Sequence, residues 1–226
     1  MIIKNKFGEI NPLEDIDFRW TKTLGISMSG GADSTMLCYL LAKCISEDKL
    51  NMSIQPYNGY DMNLPEDSNK LPYIIEYIRN RFPEVDLRWP MSVVFPNPEC
   101  KDIKNLYIRD LVKKMMYKNW DARVVGITLG PPIEVQEKFK IIGPQSNIKR
   151  LPGYHLYREV IEHGPDSSGP FKTIDKRFVI QCYKDFNMID LLEKTESCTE
   201  NIKCTDKIKC WWCTEREWAI KEVFNE

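Results

Sequence analysis

No stretch of the 226 residues stays apolar for long enough to cross a bilayer. The opening MIIKNKFGEINPLED meets acids and a proline before an apolar run of signal-peptide length can form. The expectation is therefore a cytoplasmic protein with no membrane partner. Neither sign of charge is in excess, since 32 Lys plus Arg face 33 Asp plus Glu. That balance gives no whole-surface field for nucleic acid and leaves only a local basic patch, such as Lys149 and Arg150. Internal repeats are absent as well. What the chain does have is 42% hydrophobic and 29% charged residues, with six Trp and ten Tyr. This is the composition of a folded globular protein, long enough for one main α/β domain and a small appendage.

Hydrophobic spacing divides the chain into alternating elements. Thr23 to Met28 reads as a buried strand ending at glycines, and from Asp33 the apolar residues Leu37, Leu40, Leu41 and Cys44 recur at helical intervals. NMSIQPY reads as a second strand, followed by the polar loop NGYDMNLPEDSN and a helix over 70–81 with Ile74, Ile75 and Ile78 on one face. The run VDLRWPMSVVF is broken by Pro90, which predicts an edge position or a bulge. A helix over about 102–119 carries Ile103, Tyr107, Leu111 and Met115 on one stripe, and ARVVGITL over 122–129 predicts a fourth strand. Such alternation calls for a doubly wound, mostly parallel sheet. Residues 130–170 are rich in Gly, Pro and polar residues, with a short helical stretch around Tyr154 to Glu162, and are read as a substrate lid. DKRFVIQCYKDF, MIDLLEKT and TEREWAIKEVF return to helical spacing. The expected organisation is a main domain over 1–194 and a small unit over 195–226.

The stretch SMSGGADST, residues 27–35, lies between the first strand and the first helix. Glycines there let backbone N–H groups approach phosphate oxygens, and the helix start favours an anion. Ser29, Ser34 and Thr35 add hydroxyls, while a carboxylate at Asp33 calls for Mg²⁺ between it and phosphate. Lys and Arg are missing from the helix start, so this is neither the lysine-bearing phosphate loop nor the spaced-glycine dinucleotide fingerprint. The loop resembles the SGGxDS loop of the N-type ATP pyrophosphatases, matching at Ser29, Gly30, Gly31, Asp33 and Ser34. The resemblance implies an adenine nucleotide alpha hydrolase-like fold. It implies cleavage of ATP between its α- and β-phosphates, adenylation of a substrate, and pyrophosphate held by the loop. It also implies a downstream lysine, which the spacing Pro170, Phe171, Lys176 supplies. Asp33 and Lys176 are thus the expected catalytic residues, with Ser27, Ser29, Gly30, Gly31, Asp33, Ser34 and Thr35 around the nucleotide.

Cys198, Cys204, Cys210 and Cys213 fall within SCTENIKCTDKIKCWWC, spaced by five, five and two residues. Four thiolates can close a tetrahedral structural Zn²⁺ site, with an iron–sulfur cluster as the rival occupant. Within the pyrophosphatase group, the endings Thr195 to Cys198 and Cys210, Cys213, Arg216 are similar to the metal knuckle of the 7-cyano-7-deazaguanine synthases. Cys204 stands further from Cys210 than that pattern has it. The segments GITLGPPIEVQEKF and QPYNGYD share nothing with that family's acceptor pocket. The resemblance implies a carboxylate adenylated by ATP and amidated by ammonia, with a second round leading to a nitrile, and it is compatible with a homo-oligomer. Two rivals are kept: an RNA-thiolating enzyme on the same loop, and an ATP-binding module without turnover that binds a protein or nucleic acid. Cys38, Cys44 and Cys182 read as small core residues, and Cys100 is the loop cysteine a thiolating enzyme would use. His155 and His163 read as solvated loop residues, and Trp211 and Trp212 as packing for the knuckle.

Overall fold

The computed structural model describes residues 1–17, 19–61, 70–95, 120–139, 167–196, 204 and 209–225. A hairpin opens the chain, β1 (Ile3–Asn5) and β2 (Gly8–Ile10), paired antiparallel with Ile3 opposite Ile10. Then come β3 (Thr23–Ser27), α1 (Ala32–Glu47), β4 (Ser53–Asp61), α2 (Leu71–Arg81), β5 (Asp86–Leu87) and β6 (Met91–Phe95). The remaining described elements are β7 (Ala122–Val124), α3 (Ile133–Gln136), β8 (Ser167–Ser168), α4 (Lys176–Asp185), α5 (Ile189–Lys194) and α6 (Trp211–Phe224). The main sheet runs β5, β4, β3, β7, β8, with β6 also on β4, and every pairing in it is parallel. This is the parallel α/β arrangement that the alternating pattern predicts. The hairpin is not foreseen, because three-residue strands are too short to show a period.

β3 sits at the centre because it can be buried on both faces: Leu24 and Ile26 are fully buried, and Gly25 leaves space that the Trp120 ring fills. A Cβ on Gly25 would lie 2.3 Å from that ring. Trp120 in turn stacks on Tyr57 of β4 at 4.6 Å between ring centroids. α1 is buried along most of its length, including Leu37, Leu40, Leu41 and Cys44, and packs between α2 and α4. Ala219 and Val223 of α6 join the same core, as do Ile3, Ile10 and Leu13 from the N-terminal segment.

The edge of the sheet is split where Pro90 predicts a break, and β4 supplies a second cause. Ser53 N donates to Lys22 O, Tyr57 O accepts from Met28 N, and Ile54 O accepts from Arg88 N. Odd-numbered residues of β4 therefore face β3, and even-numbered ones face the edge. Pro56 faces the edge with no N–H to offer, so the partner strand is interrupted between β5 and β6, opposite it. Gln55 bridges the gap by donating from Nε2 to Trp89 O at 2.9 Å and Pro56 O at 3.0 Å.

Three boundaries differ from the sequence reading. β4 extends to Asp61, through residues whose polarity suggested a loop, because β6 pairs with Tyr57–Asp61. β7 stops at Val124; the chain then leaves the sheet, and Leu129 forms a parallel bridge with Asp175. α6 starts at Trp211, ahead of the expected Thr214, with Cys210 as its N-cap. The expected helices over 102–119 and 154–162, and most of the proposed lid, lie outside the described residues.

Candidate functional site

In doubly wound sheets the ligand crevice forms at the carboxyl ends of the strands where the order of winding reverses. Here the chain winds from β3 outward through β4, then crosses to β7 on the other side of β3, so the reversal lies between β3 and β7. Residues 28–31 leave β3 at that point. Gly30 has φ +74°, a conformation that L side chains rarely adopt. Gly31, the N-cap of α1, is extended, and a Cβ on it would meet Ser29 Oγ at 3.2 Å and Glu196 O at 3.3 Å. The serines shape the turn: Ser29 N donates to Ser34 Oγ at 3.2 Å, Gly31 N donates to Ser29 Oγ at 3.2 Å, and the two hydroxyls lie 3.1 Å apart. Glu196 N donates to Gly30 O at 3.0 Å. Among the described residues no side chain caps α1, which leaves its first-turn amides to an anion.

Lys176 reaches the same place from α4. Asp175, N-cap of that helix, accepts from Arg177 N at 2.9 Å, and Leu129 N donates to Ile174 O at 2.8 Å, so the start of α4 is fixed against the segment after β7. The Lys176 side chain is 4% exposed, and its Nζ lies 2.8 Å from Asp33 Oδ2 and 3.2 Å from Glu215 Oε2. Glu215, on α6, is fully buried. Asp33 Oδ1 is also buried and accepts no hydrogen bond among the described residues. That oxygen is a hard donor with spare capacity, which suits Mg²⁺ shared with phosphate. Tyr183 of α4 donates to Ala32 O at 2.9 Å. Burial, reinforced by the Asp33 charge, holds its phenol well above the usual range. Arg216 follows Glu215 and donates to Thr195 O at 2.7 Å and Leu192 O at 2.6 Å; its burial lowers the guanidinium pKa from its ordinary value.

The Sγ atoms of Cys204, Cys210 and Cys213 all lie within 4.8 Å of one another, and Cys210 N donates to Cys204 Sγ at 3.1 Å. Thiolates around one tetrahedral zinc ion stand about 3.8 Å apart, given Zn–S bonds of about 2.3 Å. Thiolates bound to separate irons of a four-iron cluster stand further apart. The three sulfurs therefore fit a single ion. Cys213 lies in the first turn of α6. Cys198, the expected fourth ligand, lies outside the described residues, as do Cys100, His155 and His163. Trp211 is buried, and its ring meets Phe139 edge-on at 5.4 Å, joining the segment GITLGPPIEVQEKF to the knuckle. Cys38, Cys44 and Cys182 are buried, and desolvation pushes each thiol up to about 12.

The fold brings Ser29, Gly30, Gly31, Asp33, Ser34 and Lys176 together. Ser27 closes β3, and Thr35 is fully buried within α1. Sequence reasoning misses Glu215, Tyr183 and Gly126. Gly126 comes so close to α1 that a Cβ would stand 3.0 Å from the Asp33 carbonyl. Its one signal is a glycine inside a strand-like run, which marks close backbone approach.

The sequence matches no protein-family profile and no curated protein. Among solved structures, the chain is similar to the U34-tRNA thiolase NcsA from Methanococcus maripaludis with its 4Fe-4S cluster. The identity is 13% and the TM-score 0.49, over 91% of this chain and 66% of the thiolase, just under two thirds of its length. It is also similar to NMN synthetase from Francisella tularensis, at 12% identity and a TM-score of 0.46, over 95% of this chain and 93% of the synthetase. At these identities and scores, the reading of the site rests on this chain's own residues.

Proposed function

We propose that the chain is an ATP-dependent enzyme of the SGGxDS-loop pyrophosphatase type, which adenylates a carboxylate and passes the acyl group to ammonia. The observation that carries this reading is the meeting of Lys176 with Asp33 at the first turn of α1, 2.8 Å apart, where the sheet order reverses. The glycine turn and the N-terminal turn of α1 receive the β- and γ-phosphates that leave as pyrophosphate. Asp33 would hold Mg²⁺ through Oδ1, and the ion would supply charge neutralisation on the phosphates. Lys176 turns from Asp33 to the phosphates as negative charge builds on the leaving group. Together these groups favour cleavage between the α- and β-phosphates and leave the adenylyl group on the carboxylate. An amide is the first product, and a nitrile follows if a second adenylation occurs, as in 7-cyano-7-deazaguanine synthesis.

Zn²⁺ is the proposed occupant of the Cys198, Cys204, Cys210 and Cys213 set, holding the start of α6. The spacing of the three described sulfurs supports it. An RNA-thiolating activity is the second reading, favoured by the position of the cluster: Cys213 is two residues from Glu215, which pairs with Lys176. The proposed setting is cytoplasmic, with small-molecule substrates. A screen of AMP release with ammonia and candidate acids, deazaguanine carboxylate first, tests the main reading. Colourless protein with one zinc per chain supports it, and a brown iron–sulfur chromophore supports thiolation.

A further inference from the structure

α6 has solvated faces, with Lys221 and Glu222 exposed, yet it turns Glu215 entirely inward onto Lys176. Burying a carboxylate is costly unless it is paired, so this seat calls for a reason beyond helix propensity. The geometry offers one. Lys176 is held between two carboxylates, and the nearer of them, Asp33, is the residue on which the nucleotide reading places Mg²⁺. While Lys176 occupies Asp33 Oδ2, only Oδ1 is open to a cation. When Asp33 lets go of the ammonium, Glu215 remains within ion-pair distance of it.

We propose that Glu215 is a positioning residue that keeps Lys176 paired while Asp33 passes from the lysine to magnesium. The inference rests on the Mg²⁺–ATP reading of the site given above. Glu215 acts through Lys176 and does not itself touch nucleotide. Its place two residues after Cys213 makes the cysteine-bound turn of α6 the support that aims it. With Glu215 neutralised, Asp33 is the one of these two carboxylates left to Lys176, and magnesium competes with the ammonium for it.

The test is calorimetric titration of wild type, E215Q and E215D with α,β-methylene-ATP, which cannot be cleaved between the α- and β-phosphates, over a series of Mg²⁺ concentrations. Zinc content and thermal unfolding are measured on the same samples. E215Q is expected to keep its zinc and its melting temperature, and to need about tenfold more Mg²⁺ for half-maximal binding, the scale on which partners of metal ligands act. E215D is expected to recover most of that shift. In a K176M background the Glu215→Gln change should leave the Mg²⁺ requirement within about twofold, because the effect runs through the lysine. An unchanged Mg²⁺ requirement in E215Q overturns the proposal, and so does a shift of the same size in the K176M background. If both Glu215 variants lose zinc and stability together, the residue is structural and the proposal fails. If wild type itself binds no analogue with Mg²⁺, the nucleotide reading falls first, and this inference with it.

Discussion

Gly126 lies against the first turn of α1 so closely that a Cβ would stand 3.0 Å from the Asp33 carbonyl carbon and oxygen and 3.1 Å from Ser34 N. Those atoms are helix backbone and cannot swing aside as a flexible side chain can. G126A is therefore expected to displace the start of α1, lowering stability by about 1–3 kcal/mol. ATP affinity should fall by at least about tenfold, because positioning errors at a phosphate site are costly. G30A differs: no described atom lies within 4 Å of its Cβ, and the positive φ opposes it at about 1–2 kcal/mol. Urea denaturation alongside nucleotide titration separates the two. A G126A protein that binds ATP like wild type contradicts the packing described.

Glu215 is expected to depend on Lys176 for stability more than Lys176 depends on Glu215, because the lysine also pairs with Asp33. Removing the ammonium in K176M takes the Lys176 ion pair from a fully buried carboxylate, a loss of about 3 kcal/mol. Neutralising the carboxylate as well, in K176M/E215Q, should recover most of that loss, since two neutral groups need less compensation. Denaturation midpoints of the single and double variants measure the coupling. Additive losses would show that the pair does not interact across the site.

These interdependences explain which parts could be read from the sequence. Local signals mark β3, the glycine turn and α1, because each depends on neighbours within a few positions. The break at Pro90 is legible for the same reason, whereas the matching role of Pro56 emerges only when β4 and the edge are placed side by side. Lys176 is legible through a family spacing. Glu215 is not: within TEREWAIKEVF it looks like one more charge on a solvated helix, and only the packing of α6 against α4 buries it. The hairpin β1–β2 escapes because two three-residue strands contain too few positions to alternate.

Thiol reactivity should follow burial. Cys38, Cys44 and Cys182 have their pKa values pushed to about 12 by desolvation, so near pH 8 almost none of each is thiolate. Iodoacetamide treatment of folded protein, read by peptide mass spectrometry, should leave these three unmodified. Cys204, Cys210 and Cys213 should become labelled only after the metal is removed. Rapid native labelling of Cys38 would contradict its place in the core.

Metal removal should be felt at the start of α6. If the proposed zinc is taken by a strong chelator, the three thiols lose the ion they share and Cys210 no longer anchors the helix. The expected result is a lower melting temperature, with faster amide hydrogen exchange in α6 than in α1. Retention of zinc should weaken as pH falls, because protons compete for the thiolates. A chelator-treated protein that keeps its full melting temperature would exclude a structural metal at these cysteines.

The bond of ATP that is cut distinguishes an adenylating enzyme from a phosphatase or kinase. ATP labelled in the α-phosphate, incubated with Mg²⁺, ammonia and a panel of carboxylic acids, should yield labelled AMP with an equal amount of pyrophosphate. D33N should keep the fold and lose the product by about a thousandfold, the scale expected when electrostatic stabilisation of the leaving group is removed. Labelled ADP with inorganic phosphate, or AMP formation undiminished in D33N, would contradict the account.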